Sequence, residues 1–319
     1  MKVFLKKCFF SLFALALILS FFELVQRVRH PQTNYETLYN SKGFRNHEFD
    51  LEKAPGMFRL LFLGGSTTVG VHCQLEETFP YRVGLALSQK FPKGKIEAIN
   101  AAKTGKTSAW ILRRFRETLS LRPDVAIIMT GYNDSALVYR EKLHLGAEDI
   151  EIIWPWYVTM DRWFARYSVF YASLREKIAI LLYRAPYYAF DRTIDSTNGG
   201  QLEQKVWFRV CPDYFRTNLE KIVHLAKTNK VDLIFIRPPL SNIRSEKDPL
   251  YKAAFLKLMD ELVSIAQRFQ IPIIDLRGVF PTANEKLYYS DGLHFTALGN
   301  QMIAEKITDY LMTHKEDYF

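Results

Sequence analysis

Several apolar runs in this chain end in residues that could do chemistry together: a serine, a small or amide-bearing residue, and an acid three residues before a histidine. The first is Arg59-Leu-Leu-Phe-Leu-Gly-Gly-Ser66, where Gly64 and Gly65 permit the sharp corner that would present a hydroxyl at the end of a buried strand. Taken alone, Gly-Gly-Ser-Thr reads equally well as the start of a helix capped by Ser or Thr. Two later runs end in matching chemistry. Ile96–Asn100 leads into Ala-Ala-Lys-Thr-Gly105, and Asp124–Thr130 leads into Gly131-Tyr-Asn133-Asp134. Near the C-terminal end, Ser290-Asp291-Gly-Leu-His294 follows the strand-like Ile271–Leu276. A carboxylate three residues before a histidine supplies a base and its orienting partner within one tight turn.

Four such blocks in this order resemble the SGNH (GDSL-like) hydrolase superfamily, from Arg59 to the last helix with a gap between Asn133 and about Gln201. The resemblance implies that Ser66 is the nucleophile and that Gly105 and Asn133 complete an oxyanion hole with the Ser66 backbone. Asp291 and His294 would be the rest of the catalytic triad. Two positions depart from the common pattern: Gly65 stands where many members have Asp, and Ala102 where glycine is frequent. Membrane-tethered bacterial members carry a stretch similar to Asn40-Ser-Lys-Gly-Phe-Arg45 ahead of the serine block, and a β-turn at Ser41–Gly43 that packs Phe44 onto the domain accounts for it physically.

The elements that must position these residues alternate. Helices are expected over Thr78–Lys90, Ser108–Leu119, Pro212–Asn229, Pro249–Phe269 and Thr296–Thr313, with a further strand at Val231–Ile236. Strands alternating with helices give a doubly wound, flavodoxin-like α/β sheet of about five parallel strands covered on both faces. The ligand site of such a sheet lies beyond the carboxyl ends of its strands. Residues 135–201 interrupt the pattern with an aromatic-rich insertion, helical over Tyr167–Leu182, in which Trp154 and Trp156 are candidates for substrate contact.

Lys2, Lys6 and Lys7 precede an uninterrupted apolar run over Cys8–Phe22, which reads as an uncleaved signal anchor within residues 1–29. A connector over 30–56 and a hydrolase domain over 57–319 follow, with the catalytic domain outside the cytoplasm; a cleaved signal, leaving a secreted or periplasmic protein, is the alternative. Three cysteines, Cys8, Cys73 and Cys211, make no disulfide framework. A net charge of +9 without a local basic run points to no nucleic-acid partner. Neither a phosphate-binding loop nor a dinucleotide fingerprint calls for a cofactor. His72 lies near Ser66 in sequence, but no metal-ligand spacing joins it to His47 or His224, so no metal is expected. The residues thus point to a serine esterase, either lipase-like or deacetylating an envelope polysaccharide. An O-acyltransferase using the same set, and a non-catalytic binding module, are the alternatives.

Overall fold

The computed structural model describes residues 18–25, 38–91, 95–135, 137–139, 206–208 and 212–318. Strand β1 (Met57–Gly64) is buried from Leu60 onward, as its continuous apolar run requires of a parallel strand covered on both faces. A four-residue helix α1 (Ser66–Val69) follows the strand, so the corner is both a strand end and a helix entry, but the N-cap is Gly65 with no side-chain cap bond and not a Ser or Thr. Then come α2 (Phe79–Lys90), β2 (Lys95–Asn100), α3 (Ser108–Thr118) and β3 (Val125–Met129). A short antiparallel pair, β4 (Leu137–Tyr139) at the start of the insertion with β5 (Val206–Phe208) just after it, was not foreseen. The chain continues through α4 (Pro212–Thr228), β6 (Asp232–Arg237), α5 (Asn242–Lys247), α6 (Pro249–Phe269), β7 (Ile273–Asp275) and α7 (Ala297–Thr313).

Five parallel strands pair in the order β2-β1-β3-β6-β7. This is the doubly wound, flavodoxin-like arrangement, with its topological switch between β1 and β3. Side chains alternate between the two faces of each strand. Leu61, Leu63, Ala126, Ile128, Leu233 and Phe235 pack under α3, α4 and α6. Leu60, Phe62, Val125, Ile127, Ile234 and Ile236 pack under α2 and α7. Each layer is an apolar core, and in a sheet of this kind the ligand site lies beyond the carboxyl ends of the strands at the switch point.

Boundaries differ from the sequence reading where caps and proline decide them. Thr78 is an N-cap rather than the first helical residue, whereas Thr296 is the N-cap that its residue type favours, its hydroxyl accepting from the Gly299 N–H at 3.2 Å. Strand β7 is shorter than Ile271–Leu276 because Pro272 has no N–H to give to a ladder. Helix α5 was not foreseen, since Arg237-Pro-Pro239 reads as a plain break.

The opposite end of the sheet is closed by Arg59, whose side chain is 1% exposed. Its guanidinium donates to Glu97 at 2.5 Å and to the carbonyls of Leu51, Leu121, Asp50 and Glu52, so all five N–H groups have acceptors. The Asn40–Arg45 stretch forms the expected turn. Gly43 N–H donates to Asn40 O at 3.0 Å with Gly43 at φ 78°, and Phe44 is 5% exposed in the core. Beyond it, Asn46 lies along the free edge of β2. It donates to Ala98 O at 2.8 Å and accepts from Asn100 N–H at 2.7 Å, while Arg45 N–H donates to Asn100 O at 2.9 Å.

Two compact units are distinguishable, one of residues 36–150 and 204–319, the other of residues 1–35 and 151–203. Of the second, residues 18–25 are described and helical. No helix among the described residues is long and apolar enough to cross a membrane. The apolar run enters the described residues only at Ile18, so most of the proposed anchor, the Tyr167–Leu182 helix, Trp154 and Trp156 lie outside them.

Candidate active site

Ser66 follows β1 at the switch point, 8% exposed, on a helix too short to do more than aim its hydroxyl. Gly64 makes that aim possible. A Cβ there would overlap the Thr68 hydroxyl and lie 2.8 Å from the Met129 carbonyl of the neighbouring strand. The Oγ of Ser66 lies 2.8 Å from Nε2 of His294. On the far side of the ring, Nδ1 lies 2.6 Å from Asp291 Oδ2. Ser66, distant in sequence from the Asp291–His294 turn, is therefore in line with it.

Asp291 is itself held by its own loop. Its Oδ1 accepts from the N–H groups of Leu293 (2.9 Å) and His294 (2.8 Å), leaving Oδ2 for the imidazole. Gly292 adopts φ 85°, a left-handed conformation that glycine takes without strain, and Ser241 donates to its carbonyl. An isolated bridge between Tyr289 and Phe295 closes the loop's base. Partial burial pushes the Asp291 carboxyl up, but the His294 backbone and ring and the Leu293 N–H together outweigh it, so the group sits below the ordinary carboxylate value. An ionised carboxylate only accepts, which places the His294 proton on Nδ1 and leaves the Nε2 lone pair for Ser66.

Gly105 and Asn133 arrive from the next two loops. Lys103 N–H donates to Gly64 O at 3.2 Å, tying the second block to the serine corner, and Gly105 turns at φ 72° into open space. Asn133 Nδ2 donates to Lys106 O at 3.0 Å, tying the third block to the second. Gly65 leaves room for this amide, since a Cβ there would come 2.5 Å from Asn133 Nδ2. Ser66, His294 and Asp291 thus stand in hydrogen-bonding line, and the loops carrying Gly105 and Asn133 adjoin the serine corner.

Two neighbours were given no place in the site by the sequence reading. Asp134 is fully buried and accepts from Ser108 N–H at 2.8 Å and from the Thr130 hydroxyl at 3.1 Å, which joins the start of α3 to the loop carrying Asn133. Burial raises its carboxyl above the ordinary value, partly offset by Ser108, Thr130 and Gly131. Its signal was adjacency to Asn133, which spacing alone could not distinguish from a turn residue. His72, in the turn after α1, places its ring centroid 5.1 Å from that of His294.

Residues 62–302, more than half of the chain, match the GDSL-like lipase/acylhydrolase family. The chain belongs to that family. As a GDSL-like protein it is an ester-hydrolysing enzyme. Solved structures with a similar fold include a lipase/acylhydrolase from Enterococcus faecalis, at 18% identity and TM-score 0.50, covering 81% of this chain and 97% of that one. Also similar are an acetylxylan esterase from Geobacillus stearothermophilus (18% identity, TM-score 0.47, 78% and 92% covered) and the esterase EstA from Pseudoalteromonas sp. (15%, 0.48, 81% and 98%). No curated protein matches this GDSL-like chain.

Proposed function

We propose that the protein hydrolyses carboxylic esters through an acyl-serine intermediate formed on Ser66. The observation that carries this is the unbroken relay from Asp291 Oδ2 through His294 to Ser66 Oγ, at 2.6 Å and 2.8 Å. As Ser66 Oγ bonds to the ester carbonyl carbon, its proton passes to His294 Nε2, and Asp291 stabilises the imidazolium. The carbonyl π electrons move onto oxygen, where the Ser66 and Gly105 N–H groups and the Asn133 amide meet the charge. Asn133 uses one N–H on Lys106 O, and its second is the one offered to the oxyanion. Collapse breaks the ester C–O bond and the alcohol leaves with the proton from Nε2. Water then repeats the sequence and releases the acid.

The reading extends to location. The basic start, the apolar run over Cys8–Phe22 and the exposed Ile18, Phe21 and Leu24 support a single-pass anchor with the hydrolase domain outside the cytoplasm. Lipid or O-acylated envelope-polymer esters would be within its reach there. Fractionation should find the intact chain with membranes; a mature form starting beyond the apolar run would refute the anchor.

The decisive experiment is a fluorophosphonate label combined with hydrolysis of short-chain aryl esters. Wild type should label and turn over, whereas Ser66→Ala should do neither and His294→Ala should lose kcat by several orders of magnitude. Combining Ser66→Ala with His294→Ala should cost little more than either alone. Equal labelling of wild type and Ser66→Ala would sink the assignment.

A further inference from the structure

We infer that His72, Asp291 and His294 form a binding site for a divalent ion of the zinc class, and that its occupancy switches the hydrolase off. Each residue contributes one donor atom, and the three atoms lie within 4.8 Å of one another. His72 Nε2 is 3.8 Å from Asp291 Oδ2, the same oxygen that sits 2.6 Å from His294 Nδ1. The two rings meet at 76° rather than stacking, and each turns one nitrogen toward the carboxylate. Imidazole nitrogens and a carboxylate oxygen are the donors such ions take, and the site is open to them: the side chains of His72 and Asp291 are 44% and 46% exposed.

The fit needs the donors, which already lie within 4.8 Å of one another, to rearrange around the ion. Donors on a tetrahedral ion at about 2.1 Å lie about 3.4 Å from one another. The His72 to Asp291 gap closes slightly to reach that, and the Asp291 to His294 gap opens as the ion takes the place of the proton between them. Solvent would supply the fourth ligand. His72 is presented by a fixed turn, since Cys73 N–H donates to Gly70 O at 3.0 Å and the Arg45 guanidinium donates to Cys73 O at 2.8 Å. Cys73 itself points inward, 8% exposed, with its sulfur accepting from Asn300 at 3.4 Å, and does not belong to the set. Ester hydrolysis by Ser66 gives His72 no task, whereas ion binding does.

Occupancy inactivates through the tautomer, a step that rests on the hydrolase reading above. An imidazole that ligates through Nδ1 carries its remaining proton on Nε2. The Nδ1 proton of His294 is therefore relocated to Nε2; none is lost and nothing is oxidised or reduced. Nε2 then donates toward Ser66 Oγ, 2.8 Å away, where it must accept for the reaction to start.

The test is equilibrium dialysis of the full-length protein against ZnCl2, using wild type, Ser66→Ala and His72→Gln, alongside ester hydrolysis scaled to each active protein's own metal-free rate. Wild type and Ser66→Ala should bind one ion per chain, and EDTA should restore the wild-type rate. Loss of a direct ligand should exceed the roughly tenfold cost of losing an outer partner, so His72→Gln should need more than tenfold more zinc for binding and for inhibition. Absence of bound zinc, or the same zinc dependence in wild type and His72→Gln, would overturn the proposal. Zinc binding that depends on His72 in a protein inert toward every ester would instead retain the site and refute the hydrolase reading.

Discussion

Replacing Asp291 by asparagine should do more damage to catalysis than replacing it by alanine, and the hydrogen bonds of its loop say why. Oδ1 accepts two backbone N–H groups, from Leu293 and His294, and Oδ2 receives Nδ1. An asparagine amide keeps both backbone bonds only by turning its oxygen to them, which aims its NH2 at the imidazole. Flipping the amide forfeits those two bonds, about 1–3 kcal/mol, so only between about a fifth and a hundredth of molecules would hold the productive orientation. The majority would keep the His294 proton on Nε2, where it blocks proton transfer from Ser66. With the carboxylate charge also lost, kcat should fall by about 10⁴, a loss known for this substitution in an unrelated serine protease. Alanine removes the orienting charge but leaves the tautomer free, and should fall by nearer 10². Stopped-flow assay with an aryl acetate gives the rates, and nitrogen-15 spectra of the imidazole give the tautomer directly. An Asp291→Asn enzyme with its proton on Nδ1, or one tenfold faster than Asp291→Ala, would refute the reasoning.

Asp134→Ala should orphan the Ser108 N–H and the Thr130 hydroxyl, at about 1–3 kcal/mol each, and lower the unfolding midpoint in urea. Asp134→Asn should cost less and should gain on wild type as pH rises, checked by repeating the titration across pH. Because burial raises the folded carboxyl above its unfolded value of about 3.9, wild type holds this contribution below that value and loses it as pH climbs through the folded one. Asp291 has the opposite sign: its depressed carboxyl contributes stability above its unfolded value, and that is lost as pH falls through the folded one. Gly64→Ala should cost about 3 kcal/mol by the same measurement, the upper end of overpacking losses, because the Met129 carbonyl 2.8 Å from the new Cβ is fixed in β3.

The parallel sheet was legible because its strands are continuous apolar runs and its helices carry apolar stripes, both local signals. Ser66 and Asn133 were legible because each closely follows such a run, Asp291 and His294 because an acid three residues before a histidine is itself a local pattern, and Pro249–Phe269 was bounded as read because Pro at its start and an αL Gln270 at its end punctuate it. What failed to show was contact between distant segments. His72 was set aside because its partners stand at the other end of the chain, and only the switch point folds Asp291 back to within 3.8 Å of it. Asp134 was passed over for the same reason, since its worth lies in reaching Ser108 at the start of α3. Arg59 looked like an ordinary first residue of a strand, whereas its carbonyl acceptors come from two separate segments, Asp50–Glu52 and Leu121, and from no pattern a sequence window contains.

The lacing of Asn46 and Arg45 along β2 bears on how the protein can be cut. A terminal strand with bare N–H and C=O groups invites another chain to add itself there, and side-chain amides that occupy those groups decline the invitation. Asn46 and Arg45 cover Ala98 O together with both backbone groups of Asn100. A soluble fragment beginning at β1 would keep every catalytic residue and yet offer a raw seam to its neighbours. One beginning ahead of Leu38 keeps the seam sewn, and also the Arg45 contact that steadies the turn bearing His72.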